Sequence, residues 1–306
     1  MIYLLLLLGV VFLLIGGDFL VKSSVALASK LNVSPFLIGV TVVSFCTSAP
    51  ELLVSLNAAI QGNTGIAIGN VIGSNIANLG LVLGLTVFIR PMIVDSKRFR
   101  LSWWAMFLSA LMFIGFSYDE ILDRTDGLFL IAGLLVFVTL TIRYRELGCA
   151  DEVSEDDVKA KMIPVYFLIG AAGLYFGSEL LVDNAVIIAE SFGVSEFIIG
   201  ITIVSLGTSL PELVTSIMAI LKGQSSISIG NLIGSNIFNV FAVLGITSMV
   251  KPMAAGKFLF RFDLPVMLGI TLLMGLFLFW GKKLSRVEGG LLLSAYLIYI
   301  LFSLVA

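Results

Sequence analysis

Ser44-Phe45-Cys46-Thr47-Ser48-Ala49-Pro50-Glu51 and Ser205-Leu206-Gly207-Thr208-Ser209-Leu210-Pro211-Glu212 are two copies of one octapeptide, 161 residues apart. The copies sit inside a longer match. Asn32–Met92 aligns without a gap on Gly193–Met253, and 32 of those 61 positions are identical. A module duplicated only for its architecture would keep its hydrophobic pattern. It would have no need to keep Thr, Ser, Pro, Glu and Asn in register, so the match points to a duplicated site.

Around the motifs the chain is apolar. Of its 306 residues 59% are hydrophobic and 12% charged, about half the charge of a soluble domain. Ten apolar segments stand out, near 2–28, 36–60, 66–89, 102–118, 127–144, 163–190, 197–221, 227–250, 264–280 and 287–305. Runs of this length read as membrane-spanning helices. Met1–Leu14 has the look of a signal-peptide core. It lacks a basic leader and a small-residue cleavage site and runs on into Gly16-Gly17-Asp18, so it reads as a retained first helix.

The charged stretch Arg143–Lys161, with its acidic run Asp151–Asp157, divides five segments from five. It defines a first repeat at 1–145, a linker at 146–161 and a second repeat at 162–306. The acidic run reads as a solvated loop. Because five is odd, the second repeat enters the membrane from the opposite face. The expected fold is therefore an all-α integral membrane protein, ten transmembrane helices arranged as two inverted five-helix repeats, a plan common among secondary transporters. With both termini outside, the inward loops and helix ends hold 14 Lys and Arg residues and the outward ones 4. That bias places the termini outside a cell membrane and the 143–161 linker in the cytoplasm.

Within this frame Glu51 and Glu212 fall about halfway along apolar segments. A carboxylate at that depth costs several kcal/mol unless it is paired, protonated or solvated, so it marks function by default. Each follows a proline, which removes a helical hydrogen bond and frees main-chain oxygens near Cys46–Thr47 and Gly207–Thr208. Such oxygens are tolerated at membrane depth where they line a cavity. Thr47, Ser48, Thr208 and Ser209 add hydroxyls on the same turns.

A second pair of motifs, Gly69-Asn70-Val71-Ile72-Gly73-Ser74-Asn75-Ile76-Ala77-Asn78 and Gly230-Asn231-Leu232-Ile233-Gly234-Ser235-Asn236-Ile237-Phe238-Asn239, puts Ser74 with Asn78, and Ser235 with Asn239, on one helix face. The glycines read as packing positions that let these helices approach the Glu-bearing ones closely. Two carboxylates amid neutral oxygens carry charge −2, which balances one Ca²⁺ or two Na⁺. The chain has no histidine, so metal chemistry must use oxygen ligands, and these suit hard cations. The two cysteines, Cys46 in an apolar segment and Cys149 in the linker, do not suggest a disulfide framework. No basic patch interleaved with aromatics suggests nucleic acid.

These four segments resemble the paired repeats of the calcium/cation antiporter superfamily, and in particular a prokaryotic sodium/calcium exchanger. The resemblance covers essentially the whole chain. It implies alternating access, with Glu51 and Glu212 as central ligands shared between Ca²⁺ and Na⁺. It implies that Thr47, Ser48, Thr208, Ser209, Ser74, Asn78, Ser235 and Asn239 complete the ion sites, and that Ser44 and Ser205 contribute main-chain carbonyls. The first and sixth helices would be the mobile gating pair. Transported Ca²⁺ and Na⁺ are then substrates; no cofactor and no required protein partner are expected, membrane lipids aside, and a monomer suffices.

Three departures stand out. Asn239 occupies a position where potassium-dependent relatives carry Asp, so potassium is not expected as a coupling ion. Cys46 faces Gly207 across the repeat. The linker is too short for a regulatory calcium-sensing domain. Asp18 and Lys22 are spaced to pair, and Glu179 and Asp183 lie on the corresponding turn. The alternatives are a proton/calcium exchanger using the same site and, from another class, a cation channel. An enzyme lacks support, for want of a nucleophile with a base.

Overall fold

The tilt of the sequence toward long apolar runs is answered in the computed structural model, which describes residues 1–93, 96–143, 158–194, 203, 205–256, 261–281 and 283–305. Among the described residues nine helices are long and apolar enough to cross a membrane. They are α1 (Ile2–Leu31), α2 (Pro35–Ile60), α3 (Thr64–Ile89), α4 (Ser96–Phe116), α5 (Arg124–Arg143), α6 (Ile163–Ser191), α8 (Ser225–Val250), α9 (Asp263–Trp280) and α10 (Arg286–Val305). Between α6 and α8 lie a short turn, Ser205–Thr208, and α7 (Leu210–Leu221). The start of the segment expected at 197–221, residues 197–202 and 204, falls outside the described residues, as do residues 144–157 with the acidic run of the linker. α4 starts six residues earlier than the apolar segment 102–118. Its first turns carry Lys97, Arg98 and Arg100, and charge at an interfacial helix end interrupts the hydropathy signal without interrupting the helix.

Local irregularities repeat at the offset of the sequence match. α2 breaks at Ser48 (φ −85°, ψ 2°), and the corresponding break is at Ser209 (φ −88°, ψ 3°). Pro50 and Pro211 then stand in the first turn of a new helical stretch, where a missing N–H costs nothing. α3 widens into a π-helical segment at Asn78–Leu83, and α8 does so at Asn239–Leu244. Such segments often accompany functional sites. Hydrogen-bonded N-terminal boxes open α5 and α10. Asp123 accepts from the amides of Thr125 and Asp126, and the Asp126 carboxylate accepts from the amide of Asp123. Ser285 and Glu288 form a reciprocal pair: each side chain accepts from the other's amide.

Glycines set the closest helix contacts. α1 and α6 run antiparallel: Gly9 lies against Gly177 and Leu181, and Gly16 against Gly170 and Leu174. A methyl on Gly16 would come within 2.6 Å of the Leu174 amide nitrogen. Gly39, Gly230 and Gly234 bring α2 and α8 together in the same way. Two apolar clusters result. One joins α1 and α6 with parts of α2, α7 and α8; the larger one holds the other helices together. α3 and α8 are the most buried spans.

Two short strand pairs tie loops together. β1 (Met92–Ile93) is antiparallel to β4 (Lys283–Leu284), and β2 (Ile121–Leu122) to β3 (Met253–Ala254). The loop before α4 therefore shares one face of the molecule with the loop before α10. The loop before α5 shares a face with the loop before α9.

Candidate functional site

The breaks in α2 and before α7, and the widened turns of α3 and α8, meet in the interior. Glu51 and Glu212 are both completely buried and close enough to feel each other's charge. Among the described residues no Lys or Arg forms an ion pair with either. Glu212 Oε1 accepts from Ser48 Oγ at 3.4 Å and from Ser235 Oγ at 3.2 Å. Glu212 Oε2 and both carboxylate oxygens of Glu51 have no hydrogen-bond partner.

Around them the contacts are reciprocal between the two copies of the motif. The Thr47 hydroxyl donates to Asn231 Oδ1 at 3.0 Å and lies 3.2 Å from Ser235 Oγ. Its counterpart Thr208 donates to Asn70 Oδ1 at 3.3 Å and lies 3.4 Å from Ser74 Oγ. Each of these asparagines is anchored from behind by a serine. Asn70 donates to Ser55 Oγ at 3.0 Å, and Asn231 donates to Ser216 Oγ at 3.3 Å. When residue i of one copy touches residue j of the other, and the reverse pair also touches, the copies are related as the two sides of a twofold contact are.

Of the residues singled out from sequence, Thr47, Ser48, Ser74, Asn78, Thr208, Ser209, Ser235 and Asn239 are all buried, as is Ser44. Ser209 Oγ, both amide atoms of Asn78 and Asn239 Oδ1 lack partners. With the three carboxylate oxygens that makes seven of the eleven partnerless buried side-chain atoms among the described residues, all on these motifs. Native interiors leave few such atoms, and each calls for a reason. Six of the seven are oxygens, the exception being Asn78 Nδ2, and a cluster of oxygens with no internal partner is what a bound cation would satisfy.

Ser44 is placed differently from the expectation of a free carbonyl. Its main-chain oxygen accepts from the Ser48 amide at 2.9 Å and the Thr47 hydroxyl at 3.4 Å. In the second copy the Ser209 amide turns instead to the Leu206 carbonyl at 3.1 Å. Ser205 opens the turn Ser205–Thr208. The asymmetry has a packing cause. Gly207 lies flush against Val182 of α6, where a side chain would collide, and its carbonyl accepts from Ser178 Oγ at 2.6 Å. Cys46, its counterpart, is half-buried beside Pro50, Tyr175 and Pro211.

Sodium/calcium exchanger protein is the family whose model matches residues 1–143 and 162–305. The chain belongs to that family. Sodium/calcium exchanger MaX1 of Methanosarcina acetivorans is 33% identical over 97% of both chains. Putative antiporter CaxA of Alkalimonas amylolytica is 38% identical, again over 97% of each. A solved structure of the sodium-calcium exchanger NCX_Mj, soaked with Na⁺ and Sr²⁺, superposes with a TM-score of 0.84. It is 34% identical and covers 97% of this chain and 96% of its own. The exchanger is thus a multi-pass membrane transport protein and not an enzyme, as its sequence motifs imply.

Asn70 and Asn231 were not among the expected ligands of this exchanger, although both stand in the repeated motif. Their signal was available: each lies four residues before Ser74 or Ser235, on the same helix face. They drew no reading of their own because nothing in one dimension tells an asparagine that aims a threonine from one that caps a turn. Asp18 does pair with Lys22, at 2.8 Å, and also with Lys222, which follows α7, at 2.7 Å. Glu179 instead accepts from the Tyr175 hydroxyl at 2.8 Å.

Proposed function

We propose that this exchanger moves Na⁺ and Ca²⁺ in opposite directions across the cell membrane by alternating access, with Glu51 and Glu212 at the bilayer midplane as ligands common to both ions. One observation carries the reading: two fully buried carboxylates, paired with no Lys or Arg among the described residues, inside a reciprocal shell of hydroxyls and amides. Two like charges near enough to act on each other in a low-dielectric interior repel strongly. One Ca²⁺ or two Na⁺ neutralise them. Loaded with either, the site can be occluded; unloaded, it resists closure, and that resistance couples the two fluxes. Ca²⁺ takes six to eight oxygens in flexible geometry. The Glu oxygens, with Thr47, Ser48, Ser74, Asn78 and their counterparts Thr208, Ser209, Ser235 and Asn239, supply that number. In this reading the Ser44 carbonyl joins only if its turn loosens, and the Ser205 carbonyl completes the set from the second copy.

The halves act as inverted repeats, a proposal supported by the antiparallel α1–α6 contact and the reciprocal contacts of the motifs. α1 and α6 form the moving pair. They meet through glycine backbone and anchor the smaller of the two apolar clusters, which suits sliding against the remaining helices.

The test is uptake of radiolabelled Ca²⁺ into vesicles containing the purified protein. An outward Na⁺ gradient is expected to drive uptake, and K⁺ to be without effect. Uptake driven by a pH gradient and indifferent to Na⁺ would replace this reading with proton coupling. Ca²⁺ current that needs no counter-ion would replace it with a channel.

A further inference from the structure

All three tryptophans of the chain lie at one end of one helix pair. Trp103 and Trp104 sit near the start of α4, and Trp280 closes α9. With Leu272, Leu276 and Phe279 they line a groove of about 750 Å³ on the outer surface of the bundle, within the range of sites that hold small organic molecules. The groove is built rather than incidental. Gly275 leaves room for the Trp103 ring, which would collide with any side chain there. Trp103 donates its indole N–H to the Thr271 carbonyl at 3.1 Å and stacks on Phe107 at 5.4 Å. Gly269, at the far end, faces open space. From Gly269 to Trp280 is eleven residues, about 16 Å of helix. That is the depth of one leaflet of a bilayer whose hydrocarbon is about 30 Å thick.

The face of the molecule at the tryptophan end of the groove carries basic residues. Arg100 stands one turn before Trp104 on the same helix face. Lys283 lies three residues after Trp280 and is held beside Ile93 by the β1–β4 pair, and Arg286 begins α10. All three are exposed, and among the described residues none pairs with a carboxylate. An aromatic groove of leaflet depth beneath unpaired cations is complementary to an acidic headgroup with its chain attached. No tryptophan stands at the opposite end of the molecule, where the exposed aromatic after α4 is Tyr118.

We infer that this groove holds an acyl chain of an anionic phospholipid, with the phosphate on Arg100, Lys283 and Arg286. The site shares no residue with the Glu51–Glu212 centre and does not depend on the transport reading. Because every tryptophan lines it, intrinsic fluorescence reports its occupancy. The protein is reconstituted in phosphatidylcholine containing increasing fractions of brominated phosphatidylglycerol or brominated phosphatidylcholine. Brominated phosphatidylglycerol is expected to half-quench the emission at a mole fraction at least about tenfold lower, with each neutralised cation reducing that preference about fivefold. Equal quenching by the two lipids at every fraction overturns the proposal. So does a preference that survives in the triple variant Arg100→Gln, Lys283→Gln, Arg286→Gln. Gly269→Leu, which fills the groove without touching the rim, is expected to weaken quenching by the brominated phosphatidylglycerol. Unchanged quenching there places the chain elsewhere and overturns the proposal as well.

Discussion

Glu51 and Glu212 are equivalent in sequence but not in surroundings: Ser48 and Ser235 hold one oxygen of Glu212, while neither oxygen of Glu51 is held. Glu51→Gln and Glu212→Gln are each expected to lower Na⁺-driven Ca²⁺ uptake at least about 100-fold, because each removes half the charge that balances the ion in a low-dielectric site. The protein should remain monodisperse in detergent, since neither residue has an ion-pair partner to lose among the described residues. Full uptake by either variant would remove that carboxylate from the ion path. Asn231→Ala acts at one remove from the ions. It removes the shortest acceptor of the Thr47 hydroxyl, leaving the Ser44 carbonyl at 3.4 Å to compete for it, and is expected to raise the half-saturating Ca²⁺ concentration about 10-fold, the usual effect of losing a group that orients a ligand. Maximal rate should change less. The carboxylates were legible in the sequence because a charge in an apolar run is too costly to stand there without a purpose. Asn70 and Asn231 were not, because their role lies in a contact that crosses the two halves.

At the scale of helices, the prolines were legible as breaks, and the breaks are there. Their form was not: Pro50 and Pro211 begin new helical stretches after single bridge residues, Ser48 and Ser209, so the ladder is interrupted and restarted instead of bent. The π-helical turns that begin at Asn78 and Asn239 left no mark that hydropathy reads, since widening a turn does not alter composition. The α1–α6 contact gives the sharpest test at this scale. Gly16→Val would drive a side chain into the Leu174 backbone, which cannot yield as a side chain does. A loss of about 1–3 kcal/mol is expected from such overpacking, read as lower thermostability in detergent. Gly115→Ala, where a methyl meets nothing within 4 Å, is the matched control and should lose none. Equal stability of the two variants would mean that α1 and α6 do not pack glycine against backbone in this register.

For the whole molecule the decisive question is which loops share a side of the membrane. The β1–β4 pair joins the loops before α4 and α10, and β2–β3 joins those before α5 and α9. A chain crossing ten times, α7 included, puts the first two loops on one side and the second two on the other; losing one crossing between α5 and α9 would separate both partnerships. On the basic bias, 14 Lys and Arg against 4, the expected orientation puts the β1–β4 side in the cytoplasm. By the same parity the linker after α5 would lie on that side and both termini on the other. The chain's own cysteines make this measurable. With Cys46→Ala, Cys149 in the linker is the sole thiol. A membrane-impermeant maleimide is expected to leave intact cells unlabelled and to react fully once they are permeabilised. A cysteine introduced just after Met1 in a variant lacking both native thiols should show the reverse. Labelling of Cys149 in intact cells would invert the orientation, and with it the leaflet that Arg100, Lys283 and Arg286 face.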